Sequence, residues 1–209
     1  MATTEKDLIL RIEYDDAPRN PREWDNLGTI FNCSRHYDVG DEQAPRSYDD
    51  AFGTPAEMLA AHAGKNILAL PVYAHDHGSG VNLTAGEPGQ APRANDPHHI
   101  GYVYVTLARV REEYHVRRVG RAVRRKAFAV LAGEIRTYSQ YLQGDVYGFE
   151  LVRPVQCSLG HTHEEEINAC WDFYGSNPLE NGMRAYITDD DWARIKEIRM
   201  PWGTTEAVA

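Results

Sequence analysis

The chain has 209 residues, 42% hydrophobic and 25% charged, with a formal charge of −9. That composition excludes wholesale disorder and suits one ordinary globular core that needs no disulfide or metal staple. Cys33, Cys157 and Cys170 are scattered and contain no CxxC pair, so neither a disulfide framework nor a thiolate metal site is expected. The opening MATTEKDLILRIEYDD lacks a basic segment followed by a long apolar run, and no stretch approaches the roughly 18 apolar residues of a membrane span. The expectation is a cytoplasmic protein that makes no membrane contact.

In chain order, Leu8 to Tyr14 is a β-prone run that ends at Asp15, Asp16 and Pro18. A polar loop follows, with a short strand around Gly28 to Asn32. Thr54 before Pro55 is an N-cap followed by a first-turn proline, and helical spacing continues to Gly64. Asn66 to His75 reads as a strand carrying Pro71, and therefore as one that meets a sheet edge or a bulge. Gly78 to Gly80 turn the chain into a hairpin return at Val81 to Thr84. Gly86 to Pro97 is a glycine- and proline-rich loop, and Ile100 to Thr106 alternates as a strand covered on both faces.

The longest periodic segment runs from Val119 to Leu142, with Val119, Val123, Ala127, Val130, Leu131, Ile135, Tyr138 and Leu142 on one side. Gly144 ends it in the position of a left-handed cap. Strands at Val146–Val152 and Ile167–Tyr174 follow, separated by a turn containing Pro154 and Gly160. Asp189 caps a last helix with Trp192, Ile195 and Ile198 on one side. Strands and helices do not alternate strictly. The predicted fold is therefore α+β: one globular domain over 1–209, a largely antiparallel sheet packed by one long amphipathic helix and shorter helices, and a flexible tail from about 203 to 209.

Charge is uneven along the chain. Arg109 to Lys126 carries eight basic and two acidic residues, a +6 segment in a chain of −9. Such a segment is a solvated helix face or a contact for phosphate, an acidic partner or the chain's own acidic surface. Only Tyr114 and His115 are available there for stacking and no nucleic-acid motif is present, so sequence-specific DNA reading is not expected.

Several residue groups could carry chemistry. His75 and His77 lie two apart at a strand end and so share a face, which lets both imidazoles reach one zinc or manganese ion with a coordination position open to water. The alternative assigns His75, Asp76 and His77 to a turn, and no cofactor is then expected. A second pair, His161 and His163, precedes Glu164 to Glu166. Cys157 near these histidines does not define the geometry of a thiol and its base. Gly144 and Gly148 bracket Asp145 and Tyr147, either as a helix cap before a strand or as an opening for a ligand or partner. In Cys170 to Gly175, Trp171 and Phe173 are expected on one face and Asp172 and Tyr174 on the other. Trp171 and Asp172 join the binding candidates. No GxSxG, GxxxxGKS/T or GxGxxG occurs.

Taken together, WDNLG, LPVYAHDHGSG, GYVYV, YSQYLQGDVYG and ACWDFYG resemble the succession of motifs in a group of small proteins encoded by bacteriophages and mobile elements. The chain departs from that pattern between Gly80 and Gly101, where related sequences carry a Cys-Pro-Trp-Asp type segment. The resemblance implies an accessory protein acting in the cytoplasm of an infected bacterium. Such a protein binds a host protein or a small nucleotide-like ligand, here through the glycine-flanked turns around Asp76, Asp145 and Asp172, and modulates a host process such as defence. The alternative is a metal-dependent hydrolase or nuclease in which His75 and His77 hold the ion and Asp145 or Asp172 completes its shell.

Overall fold

The computed structural model describes residues 7–206 except 77, 79, 94, 95, 176, 178, 179 and 204, with the backbone alone at 205 and 206. The strands are β1 (Leu8–Tyr14), β2 (Thr29–Asn32), β3 (Glu42–Gln43), β4 (Ile67–Asp76), β5 (Val81–Ala85), β6 (His99–Thr106), β7 (Val146–Gln156), β8 (Thr162–Tyr174), β9 (Ile195–Arg199) and β10 (Thr205–Glu206). The helices are α1 (Ser47–Ala51), α2 (Pro55–Ala63), α3 (Leu107–Glu113), α4 (Arg121–Leu142) and α5 (Asp189–Trp192). The class is α+β with mostly antiparallel strands, as expected, but the strands form two five-stranded sheets rather than one. The chain divides into two compact units: residues 1–19 with 144–209, and residues 20–143. No helix among the described residues is long and apolar enough to cross a membrane.

The first unit holds the sheet β10-β9-β1-β7-β8. β1 is central, antiparallel to β7 with Tyr14 opposite Tyr147, and parallel to β9 with Leu8 opposite Ile195. Leu8, Leu10 and Ile12 alternate onto the same core as Tyr147, Phe149 and Leu151, joined by Phe173, Met183 and Ile187. The expected last helix is corrected here. Thr188, not Asp189, is its cap, α5 is four residues long, and Ile195–Arg199 is a strand. Ile195 and Ile198 are three apart, which resembles helical spacing. A register shift between Leu8 and Ile9 re-phases the pair so that both isoleucines are buried from a strand.

β7 and β8 are longer than expected, reaching Gln156 and starting at Thr162, so Pro154 lies inside β7 rather than in the turn. It pairs with Glu164 beyond the stretch covered by β1, where β7 has only one paired side. β8 is an edge strand interrupted by two register shifts and carrying Glu164, Glu165 and Glu166, features that discourage pairing with another chain. Within the expected tail, Thr205 and Glu206 pair with Arg199 and Ile198.

The second unit holds the sheet β3-β2-β6-β4-β5. Leu68, Leu70, Val72 and Ala74 alternate along β4 onto one face, where they meet Ala127, Leu131, Ile135 and Tyr138 of α4. Val130, expected on that side, is 40% exposed. α4 also protects the edge strand β5, because Ser139 Oγ accepts Leu83 N–H at 2.8 Å. Gly144 follows α4 with φ +71, as its cap role required. On the opposite face Phe31 and Tyr102 pack against Met58 and Leu59 of α2. β6 is therefore covered on both sides, as its alternation predicted. β4 is an interior strand, and Pro71 is tolerated beside a register shift between Val72 and Tyr73. Its carbonyl accepts Gly86 N–H at 2.8 Å, just past the end of β5.

Candidate functional site

A cleft of about 560 Å³ lies over the α2 side of the second unit's sheet. Its floor is apolar: Ala69 and Pro71 from β4 and Tyr102 from β6, with Pro71 directly opposite Tyr102 in the ladder. One wall is the start of α2, residues Gly53–Ala56, and the other comes from Gly89 to Arg93, Asp96 and His99. Strand pairing supplies the floor, and the return from Gly86 folds the loop over it.

The electrostatics of this cleft follow from its caps. Gly53 and Thr54 N–H both donate to Glu57 Oε2, at 2.9 and 3.1 Å, and Glu57 N–H donates to Thr54 Oγ1 at 3.3 Å. The helix end facing the cleft thus already holds a carboxylate. The cationic group lining the cleft is Arg93. His99 is held neutral, because burial lowers its pKa, while its hydrogen bond to the Gly101 backbone and the charge of Asp96 act the other way. His99 Nε2 is buried without a hydrogen-bond partner among the described residues. The Tyr102 phenol is pushed up to about 12 by burial and stays protonated.

His75 lies at the end of β4, and its ring centroid is 4.3 Å from that of His98. His98 is positioned by Nδ1 against Ala74 O at 3.2 Å and by its N–H on Asp96 Oδ1 at 3.0 Å. Asp76 serves the turn, since its Oδ1 accepts Gly78 N–H at 2.8 Å. His77 lies outside the described residues. Among the described residues, no group of three or more His, Cys, Asp or Glu is placed to hold a metal ion.

Asp145, Tyr147, Trp171 and Asp172 belong to the first unit, at the end of its sheet where β7 starts and β8 finishes. Tyr147 is buried, bonds to Asp145 and Tyr14, and has its pKa raised first by burial and then by Asp145. Its ring meets Tyr14 at 5.1 Å and Trp202 at 6.2 Å. The expected faces of β8 are corrected. A bulge with Asp172 at φ +68 breaks the alternation, so Phe173 enters the core while Trp171, 40% exposed, lies across Gly148. Asp172 accepts Arg19 N–H at 2.9 Å and Nε at 2.6 Å, and its own N–H donates to Asp15 Oδ2 at 3.0 Å. These contacts fasten residues 15–19 to the strand end.

Sequence reasoning missed Arg93, Asp96, His99 and Tyr102 as a group. The β4–β6 register places His99 and Tyr102 and the loop after Gly86 brings in Arg93 and Asp96, neither of which a local pattern displays. Compared with protein-family models, curated proteins and solved structures, the chain matches none.

Proposed function

We propose that the protein is an accessory protein of a bacteriophage or mobile element that binds a small nucleotide-like ligand in the bacterial cytoplasm and so modulates a host process such as defence. The observation that carries the ligand-binding reading is the cleft over Pro71 and Tyr102. Its volume of about 560 Å³ falls in the range of small-molecule sites, roughly 300–1,000 Å³. An apolar floor with one aromatic ring suits a planar base, Arg93 suits a phosphate, and His99, its Nε2 unpartnered among the described residues, adds a hydrogen-bonding group to the lining. A panel of nucleoside monophosphates and the matching nucleosides, followed by calorimetry, tests this. Micromolar binding of a nucleotide that is lost in Tyr102→Ala and weakened in Arg93→Ala supports the reading; no heat with any of them at millimolar ligand overturns it.

The His75–His98 ring pair favours a second reading, a zinc- or manganese-dependent hydrolase or nuclease. Two imidazoles are fewer than the three protein ligands of an ordinary catalytic zinc site. Native mass spectrometry of protein purified without chelator separates the two readings. A stoichiometric metal adduct lost in His75→Ala and His98→Ala favours the hydrolase.

A further inference from the structure

Between residues 117 and 126 stand Arg117, Arg118, Arg121, Arg124, Arg125 and Lys126, with no acidic residue among them. All six are exposed. Elsewhere in this acidic chain arginines are commonly matched: Arg109 has Asp25, Glu112 and Glu113, Arg11 has Glu150, and Arg22 has Asp41. Among the described residues, none of the six has a carboxylate at ion-pair distance. The chain's own acidic surface is therefore not what the described structure places against them.

Their position makes the imbalance more informative. α4 begins at Arg121 with Gly120 as a cap that makes no side-chain bond and with no acid in the first turn. Cations at this end oppose the helix dipole, and Arg121 stands one turn from both Arg124 and Arg125. A face shaped only for solubility would place acids there. The buried side of α4 holds the helix in place regardless, so the exposed side is free to serve an anionic partner.

The surroundings distinguish between partners. A folded protein partner calls for an apolar centre, yet within residues 117–128 no large hydrophobic residue is exposed, Val130 being the nearest along α4. Tyr114 and Phe128 are partly buried against the core, which leaves His115 as the one exposed ring of the segment and no row of rings for successive unstacked bases. Phosphate contacts alone need neither feature. We propose that the corner made by residues 117–120 and the first two turns of α4 docks on the phosphate backbone of a nucleic-acid duplex without regard to base sequence, a surface separate from the cleft.

The experiment is fluorescence anisotropy of the full chain with labelled DNA duplexes of two unrelated sequences, titrated from low to moderate salt. Both duplexes should bind equally, with a slope of log K against log salt of about −3 to −5, since each phosphate contact contributes roughly 0.9. Arg121→Gln, Arg124→Gln and Arg125→Gln combined should weaken binding about tenfold or more and flatten the slope by about 2–3, with an unchanged circular dichroism spectrum. Arg117→Gln with Arg118→Gln, outside the helix, should weaken it in the same direction. Absence of binding at low salt, or unchanged affinity in both variants, overturns the proposal. Tighter binding to the single strand, or equal competition by polyglutamate, overturns it in favour of a stacking surface or an acidic protein partner.

Discussion

Arg22 and Asp41 meet at two points inside the second unit, Nε to Oδ1 at 2.9 Å and Nη2 to Oδ2 at 2.6 Å, with only 6% of the arginine side chain exposed. Asp41 Oδ2 also accepts Ile30 N–H, and Arg22 Nη2 also donates to Gly28 O. One ion pair thereby joins the turn at 21–23, β2 and the residues before β3. Asp41→Asn removes one of the two carboxylates at the buried guanidinium, Glu134 Oε2 remaining 3.7 Å from Nη1, and should cost about 2 kcal/mol. Urea unfolding measures this, and a loss below about 0.5 kcal/mol would contradict the described pairing, because that is the scale of an ordinary surface change.

Gly148→Ala should destabilise the first unit by roughly 1–3 kcal/mol, since a Cβ there would fall within the Trp171 ring. Trp171→Ala in the same chain removes the obstruction. A double-mutant cycle should therefore show strong positive coupling, with the double variant more stable than Gly148→Ala alone.

Thr54→Ala removes the acceptor for Glu57 N–H and half of a reciprocal cap. The expected cost is about 1 kcal/mol, a fall of roughly 2–4 °C in melting temperature for a chain of this length. Because Thr54 lines the cleft, the same variant should also weaken nucleotide binding; an unchanged melting temperature would remove the cap from consideration.

Burial lowers the His99 pKa below the ordinary 6.5. The unfolded chain takes up a proton that the folded chain resists, so the stability from neutral His99 is fully present above pH 6.5 and is lost as pH falls below it. The stability difference between the parent and His99→Gln, from urea midpoints between pH 7.5 and 5.5, should shrink as the solution is acidified. A difference that grew would mean the imidazole gains an acid partner on folding.

Local patterns in the chain were sufficient wherever one element satisfied its own needs. The Thr54–Pro55 start of α2, the Gly144 stop of α4 and the alternation of β6 are each written in neighbouring residues. Failures arose where a distant strand decided. Ile195 and Ile198 have helical spacing, but β1 recruits them as a strand by shifting register. Trp171 and Phe173 alternate on paper, and the bulge at Asp172 turns them apart. Likewise the pairing of Pro71 with Tyr102 and the approach of His98 to His75 depend on the β4–β6 ladder, so the floor of the cleft has no local signature. The basic stretch was visible, but that its six cations from Arg117 to Lys126 have no carboxylate at ion-pair distance among the described residues needed the fold.

The central place of β1 in its sheet governs how the molecule can be made. β1 leaves the ribosome before both of its neighbours, β7 and β9, which begin only at Val146 and Ile195. All of residues 20–143 emerge in between, as a contiguous stretch with its own sheet and core. That stretch can fold as a nascent unit while Leu8, Leu10 and Ile12 remain an unsatisfied apolar strand, a natural client segment for a chaperone. The distant contacts that complete the first unit then close last, so the appearance of Ile195–Arg199, rather than the birth of β1, times that step of folding.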